Sequence, residues 1–319
     1  MTGEVWVYSD FSSPQDYKLM YTAHLLSRNL GSQSAAICAC DTDMDKIAQI
    51  DADIIYHLNE DGGYILKARG LARLCEKYKP DIVLFPSGAK FGGIAAQTAV
   101  LVDTGLTADC IGLAIDANKR LCQTRYAYGG GVIADIYCSS NPQMATVRQK
   151  ALPEPKWNSA GKAEHIFIRN PLQADTVKVL SREYIEHKND LNGADIIVAG
   201  GKGMGGRDGF QVLQKFADKI GGSLGASRSA VDAGYADYRC QIGQTGRTVS
   251  PRLYIAVGIS GAHQHLAGMY TSGKVIAINC DPKAPIFDYA DLALVGDWKE
   301  IIPALMADFN NYYKGRKAK

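Results

Sequence analysis

No apolar run in this chain of 319 residues approaches the roughly 18 that cross a bilayer; the longest are strand-sized and broken by glycine or charge. No membrane span is therefore expected. The N-terminal Met1-Thr-Gly-Glu-Val-Trp-Val-Tyr-Ser-Asp10 has no basic segment ahead of an apolar one, so no export signal is expected, and the cytoplasm is the expected compartment. A dominant charge is missing as well. Lys and Arg number 35 against 33 Asp and Glu, a net +2 that gives no field suited to nucleic acid. The one basic cluster, Lys314, Arg316, Lys317 and Lys319, reads as a solvated tail. Eight cysteines occur without a Cys-x-x-Cys pair, and several lie in apolar runs such as Ile37-Cys38-Ala39-Cys40. That excludes a disulfide scaffold and leaves reduced, buried thiols as the expectation. Histidines are few, and no third ligand lies at useful spacing from His263 and His265, so no metal site is expected. Repeats and low-complexity segments are absent.

What is present is ordinary globular material, 46% hydrophobic and 21% charged, enough for two domains. Strand-like and helical patterns alternate from the start. Val5–Tyr8, Ala35–Cys40, Ile54–Leu58 and Asp81–Phe85 read as strands. Leu19, Met20, Ala23, Leu26 and Leu30 share a helix face, and further helices fit Tyr64–Lys77 and Gly92–Val102. This rhythm predicts a parallel sheet flanked by helices. From Ala108 the pattern changes. Cys110–Ile115, Cys122–Tyr128, Val132–Tyr137 and Met144–Val147 are close-spaced strand candidates with a turn at Gly129-Gly-Gly131, read as an antiparallel extension of that sheet. A strand at His165–Arg169 follows the stretch holding Pro153, Pro155, Trp157 and Ser159, and Ser181–Asn192 reads as a linker. The α/β rhythm then restarts. The expected architecture is α/β in two domains: 1–190, a parallel-sheet domain with the antiparallel extension, and 191–319, a doubly wound nucleotide-binding domain.

Four polar or glycine-rich clusters fall at strand ends of the second domain. Ile196-Ile-Val-Ala199 leads into Gly200-Gly-Lys-Gly-Met-Gly-Gly206, where Gly201, Gly203 and Gly206 satisfy G-x-G-x-x-G ahead of a helix from Phe210 to Ile220. Glycines there let the backbone approach a phosphate, and Lys202 adds a cation. The next strand candidate, Ser223–Arg228, ends in Ser227-Arg228 where a nicotinamide site would carry an acid for the ribose. Gly243-Gln-Thr-Gly246 is a polar turn, and Val257-Gly-Ile-Ser-Gly-Ala-His-Gln-His265 sets Ser260, Gln264 and His265 among small residues. Asn279 ends the strand Lys274–Asn279, and Gly296-Asp297 follows the strand Leu292–Val295. Open α/β sheets bind ligands at this carboxyl edge.

The run Pro251-Arg-Leu-Tyr-Ile-Ala-Val-Gly-Ile-Ser-Gly-Ala-His-Gln-His-Leu-Ala-Gly268, with Gly225-Ala-Ser-Arg-Ser-Ala-Val-Asp232, Gly243-Gln-Thr-Gly246 and the Asn279–Phe287 loop, closely resembles the α subunit of electron-transfer flavoproteins. The resemblance is specific over 194–311 and looser across the N-terminal half. It implies one FAD held by the C-terminal domain and a heterodimer with a β subunit that packs on the N-terminal domain. It places Lys202 and Gly203 near the phosphates, Arg228 against the isoalloxazine with Ser227 beside the dinucleotide, and Gly243, Gln244 and Thr245 near flavin N5. Ser260, Gly261, Ala262, His263, Gln264 and His265 would serve the pyrophosphate and ring, His265 at the N1/O2 edge. Asn279, Asp297 and Trp298 would take the adenosine end. Two positions depart from the family pattern: Lys202 stands for the usual Arg, which loses a bidentate fork, and His263 for the usual Ile.

The implied activity is electron carriage, not substrate turnover: FAD accepts electrons from a flavin dehydrogenase, of which an acyl-CoA dehydrogenase is the expected kind, and passes them on. Segments such as Gly105-Leu-Thr-Ala-Asp-Cys110 and Pro142–Arg148 resemble α subunits from anaerobic bacteria, some of which bifurcate electrons from NADH. That is the alternative. A nicotinamide-dependent oxidoreductase would need a ribose-reading acid and a catalytic pair, neither of which the sequence shows, and a non-redox nucleotide-binding subunit is the third reading.

Overall fold

The computed structural model describes residues 3–39, 44–59, 63–127, 132–156, 163–169, 180–181, 191 and 193–317. The Gly129–Gly131 turn, Trp157, Ser159 and most of the 181–192 stretch lie outside them. Two compact units form, Met1–Ala127 with Ile133–Arg182, and Tyr128–Val132 with Glu183–Lys319.

The first unit runs β1 (Val5–Ser9), α1 (Pro14–Leu30), β2 (Ser34–Ala39), α2 (Met44–Ile47), β3 (Ile54–Asn59), α3 (Tyr64–Tyr78), β4 (Ile82–Pro86), α4 (Ala89–Leu101), β5 (Leu106–Ile115), β6 (Leu121–Ala127), β7 (Val132–Ile136), β8 (Gln143–Val147) and β9 (Glu164–Arg169). These strands make one sheet in the order β7-β6-β5-β8-β4-β1-β2-β3-β9. Every residue of β1, β4 and β8 is buried, as suits inner strands covered on both faces. Local chemistry sets the ends of α1. Ser13 and Asp16 close a capping box around Pro14 at the first turn, and Gly31 in the left-handed region stops the helix. One apolar layer gathers α1 against β1 and β4, and the other gathers α3 and α4 against Trp6, Tyr56 and Phe85.

The expected antiparallel extension needs correction at one strand. β8 is parallel to β4 on one side and to β5 on the other, so it belongs to the parallel sheet. β5 and β6 pair antiparallel, as expected of the extension, and β5 starts at Leu106, earlier than read from the sequence. The thiol expectation holds for Cys38, Cys75 and Cys110, where burial pushes the pKa up to about 12 and makes the thiol inert. It fails at Cys280, which is exposed.

The second unit runs β10 (Ile196–Gly200), α5 (Arg207–Ile220), β11 (Ser223–Ala226), α6 (Arg228–Asp232), β12 (Leu253–Val257), α7 (His263–Leu266), β13 (Lys274–Asn279), β14 (Leu292–Val295) and α8 (Trp298–Lys317). All five strands are parallel, in the order β11-β10-β12-β13-β14. Counting from β10 this is 2-1-3-4-5, a doubly wound order whose direction reverses between β10 and β12. Apolar layers cover both faces: α5 and residues from α8 on one, Leu266, Met269 and Ile286 on the other. The crevice at the reversal point is where such a sheet takes a ligand.

Candidate functional site

The loops leaving β10 and β12 meet at that crevice through their backbones. Gly201 N–H donates to Val257 O at 2.8 Å and Gly203 N–H to Gly258 O at 3.1 Å. A Cβ on Gly201 would lie 1.9 Å from Gly258 O, so no side chain fits. The sequence reading assigns these glycines to phosphate approach; the structure uses Gly201 to join two loops. The loop from Gly201 closes in a single 3-10 turn, Lys202–Met204, which leaves the Lys202 ammonium exposed. It has no ion-pair partner among the described residues.

A hollow of about 560 Å³ opens beside these loops, within the range of small-molecule sites, about 300–1,000 Å³. Of the sixteen residues selected from the sequence, all but Gly261, His263, Asp297 and Trp298 line it. Strand β11 ends at Ala226, two residues short of expectation, because Ser227 turns the chain into α6 and caps it, accepting from Ala230 N–H at 3.4 Å. Arg228 then projects with its Nε 3.4 Å from Asp232, both side chains about two-thirds exposed. Such a pair holds its partners weakly. Opposite, the Gly243–Gly246 turn is pinned on α7 by Gln244 N–H donating to Gln264 O at 2.7 Å. The Thr245 hydroxyl accepts from Gln241 Nε2 at 3.1 Å and keeps its own hydrogen to give.

His265 has both ring nitrogens taken by protein groups. It lines the hollow yet is buried, with Nδ1 3.1 Å from Ile242 O and Nε2 2.9 Å from the Tyr254 hydroxyl. Burial holds its pKa down to about 4, against a smaller opposite pull from the Ile242 carbonyl. The ring is therefore neutral at pH 7 and supplies no positive charge. His263 is exposed on α7 and Gly261 is buried against Ile286; neither lines either hollow described here.

A second hollow of about 440 Å³ adjoins the first and shares Gly203, Gly258 and Asn279 with it. Asp297 and Trp298 line this one, with Gly205, Gly206, Asp208 and Gly209 at the start of α5. Gly206 offers no side-chain cap, and the N–H groups of Arg207, Asp208 and Gly209 have no hydrogen-bond acceptor among the described residues. A 14-residue helix thus opens onto the hollow with donors and the positive end of its dipole. Asn279 bridges the loops, giving Nδ2–H to Ile259 O at 2.9 Å and accepting from Asp281 N–H at 3.0 Å. Asp297 caps α8, its Oδ1 accepting from Lys299 N–H at 2.9 Å.

The sequence reading missed Asp232, Asp281 and Pro285 in the first hollow and Cys280 and Lys299 in the second. Cys280 and Asp281 follow Asn279 within two residues, Lys299 follows Asp297 by two, Asp232 lies one helical turn from Arg228 and Pro285 falls in the Asn279–Phe287 loop; that neighbourhood was the available signal. The donor set suits a flavin dinucleotide: two cations and amide and hydroxyl donors around one hollow, free helix N–H groups and polar termini in the other, and a waist of glycine backbone between them.

Residues 190–270 match the family described as electron transfer flavoprotein FAD-binding domain, and 14–169 the electron transfer flavoprotein domain. The chain is 44% identical over 268 residues to the electron transfer flavoprotein subunit alpha of Thermoanaerobacterium thermosaccharolyticum, covering 81% of this chain and 80% of the relative. It is 40% identical over 297 residues to that of Clostridium acetobutylicum, covering 90% and 85%. The subunit LctC of lactate dehydrogenase (NAD(+),ferredoxin) from Acetobacterium woodii is 38% identical over 265 residues, 81% of this chain and 63% of that one. No helix among the described residues is long and apolar enough to cross a membrane. A carboxyl-edge cleft of this chemistry, on a chain matched to this family in both halves, places it among the electron transfer flavoprotein α subunits, electron carriers whose C-terminal unit is the FAD-binding domain.

Proposed function

We propose that FAD lies along the carboxyl edge of the second unit, its ring end in the hollow formed by Arg228, Gln244 and Thr245 and its adenosine end near Asn279, Asp297 and Trp298. Lys202, Gly203 and Ser260 take the phosphates at the waist, with Ser227, Gly243, Ala262, Gln264 and His265 completing the wall. The convergence of five separate sequence stretches on one hollow at the sheet's reversal point carries this reading. Bound FAD supplies one- and two-electron redox chemistry. The chain's own part is electrostatic and positional. Arg228 and Lys202 provide the positive charge that favours a reduced, anionic ring and binds phosphate, a task that the neutral His265 does not share.

The finer reading is a heterodimer with a β-type subunit packed on residues 1–190, working in the cytoplasm and accepting electrons from a flavin dehydrogenase, an acyl-CoA dehydrogenase being the expected donor. The likeness to LctC, named for NAD(+) and ferredoxin, favours a second reading in which NADH feeds the complex and electrons bifurcate. Co-expression with the β-type subunit, flavin quantification and anaerobic NADH addition separate these. A single FAD per heterodimer that NADH leaves oxidised fits the simple carrier. A second FAD with rapid NADH reduction fits bifurcation, and a heterodimer free of flavin refutes the cleft assignment.

A further inference from the structure

The hydrogen bonds around His265 form a chain of fixed direction. The Ile242 carbonyl only accepts, so Nδ1 at 3.1 Å carries a hydrogen and donates. In the neutral ring Nε2 is then an acceptor, and the Tyr254 hydroxyl at 2.9 Å is its donor. Tyr254, second residue of β12, is fully buried in an apolar layer with Ile197, Ala199, Val249 and Leu266. Protonating the imidazole would set Nε2–H against the phenol and turn the phenolic hydrogen toward that layer. A buried hydroxyl without an acceptor is costly.

This chain also has a mechanical output. Ile242 precedes Gly243, and the turn it opens is pressed on α7: a Cβ at Gly243 would lie 2.8 Å from Gln264 O. The imidazole therefore ties the turn to α7, and Tyr254 selects the tautomer that makes the tie. Tyr254 itself lines neither hollow.

We propose that Tyr254 is a positioning residue for the flavin, fixing the tautomer of His265 and through it holding the Gly243–Thr245 turn at the ring end of the cleft; this rests on the reading that FAD occupies the cleft. The charged and titratable groups around His265 are Lys202, Arg228, Asp232 and Asp281 along the same wall, Arg247 closing the turn and His263 on α7. None of them is hydrogen-bonded to the ring, whose two nitrogens are taken by Tyr254 and Ile242.

The test uses the heterodimeric holoprotein, comparing wild type, Tyr254→Phe, and Tyr56→Phe as a buried-tyrosine control in the first unit. Midpoint potential is measured between about pH 5 and 8, where an unrestrained imidazole titrates. Tyr254→Phe is expected to retain FAD and to show a midpoint potential displaced from wild type across that range, because the imidazole loses the phenol that fixes its tautomer and the turn at the ring end is held less firmly. Tyr56→Phe is expected to follow wild type. A Tyr254→Phe holoprotein whose potential matches wild type throughout overturns the proposal and leaves the cleft reading standing; a wild type that binds no flavin overturns both. Should Tyr254→Phe fail to fold, the ¹⁵N shifts of His265 in wild type decide. A constant Nδ1–H neutral tautomer over that range supports the chain, and a titrating ring overturns it.

Discussion

Alanine at Gly201 should damage the crevice itself. The added Cβ would stand 1.9 Å from Gly258 O, 2.5 Å from its carbonyl carbon and 2.7 Å from Ile259 Cα, all backbone atoms with no rotamer to yield. Relief requires the loops after β10 and β12 to part, which strains both hydrogen bonds between them, Gly201 N–H to Val257 O and Gly203 N–H to Gly258 O. Overpacking of a close-packed site costs about 1–3 kcal/mol, and two lost hydrogen bonds add about 0.5–1.5 kcal/mol each. The expected destabilisation is about 2–6 kcal/mol, a fall in melting temperature of at least about 4 °C. Gly205→Ala is the comparison. Gly205 has φ +77° with open space where a Cβ would go, so alanine meets strain of about 1–2 kcal/mol and no collision. Thermal unfolding and FAD titration of both variants check the reasoning. If Gly201→Ala is no less stable than Gly205→Ala and binds FAD as tightly, backbone contact does not close the crevice.

Arg228→Ala should leave stability within about 0.5 kcal/mol, since the side chain is exposed and its ion pair is weak, while lowering the flavin midpoint potential; an unmoved potential removes Arg228 from the ring end. Asn279→Ala deletes the bridges to Ile259 O and Asp281 N–H; it should cost about 1–3 kcal/mol in urea unfolding and weaken FAD binding, and full affinity would deny Asn279 a place at the adenosine end. His265 has a folded pKa lowered from 6.5 to about 4, so the unfolded chain binds more protons between those values. The stability from this group is present above pH 6.5 and lost as pH falls toward 4, about 3 kcal/mol in all. His265→Gln should flatten that part of the stability–pH curve, and an unchanged slope from pH 6.5 to 4.5 would place the imidazole in water.

The elements of both units were legible because their buried faces repeat at helix or strand spacing over enough residues to stand out. Their neighbours in the sheet were less so. β8 was read as part of an antiparallel lobe because it follows β5, β6 and β7 closely in sequence. Its five residues are nonetheless all buried, whereas β5, β6 and β7 are half-exposed. A short strand covered on both faces belongs inside a parallel sheet, and Met144-Ala-Thr-Val147 carried that signal. At the site, strand ends could be picked out because open parallel sheets bind ligands there. The duty of each side chain could not. His265 reads as a ligand beside Gly261 and Gln264, but its partners lie 11 and 23 residues away in the chain. The remaining clue was Tyr254 itself, a phenol in an apolar strand that needs a partner for its hydroxyl.

The glycines of the cleft have a common explanation. Gly201 abuts Gly258, Gly243 abuts Gln264, Gly261 abuts Ile286 and Gly268 abuts Gly243; in each case a Cβ would come within 2.8 Å of another loop's backbone. Four stretches distant in sequence are thus held by backbone against backbone, and the spacing of their glycines records how the loops meet. Between them Lys202, Arg228, Gln244, Thr245 and Ser260 are exposed. Alanine at the joining glycines should lower stability first and affinity as a consequence, whereas alanine at the exposed positions should alter binding or potential at little cost in stability.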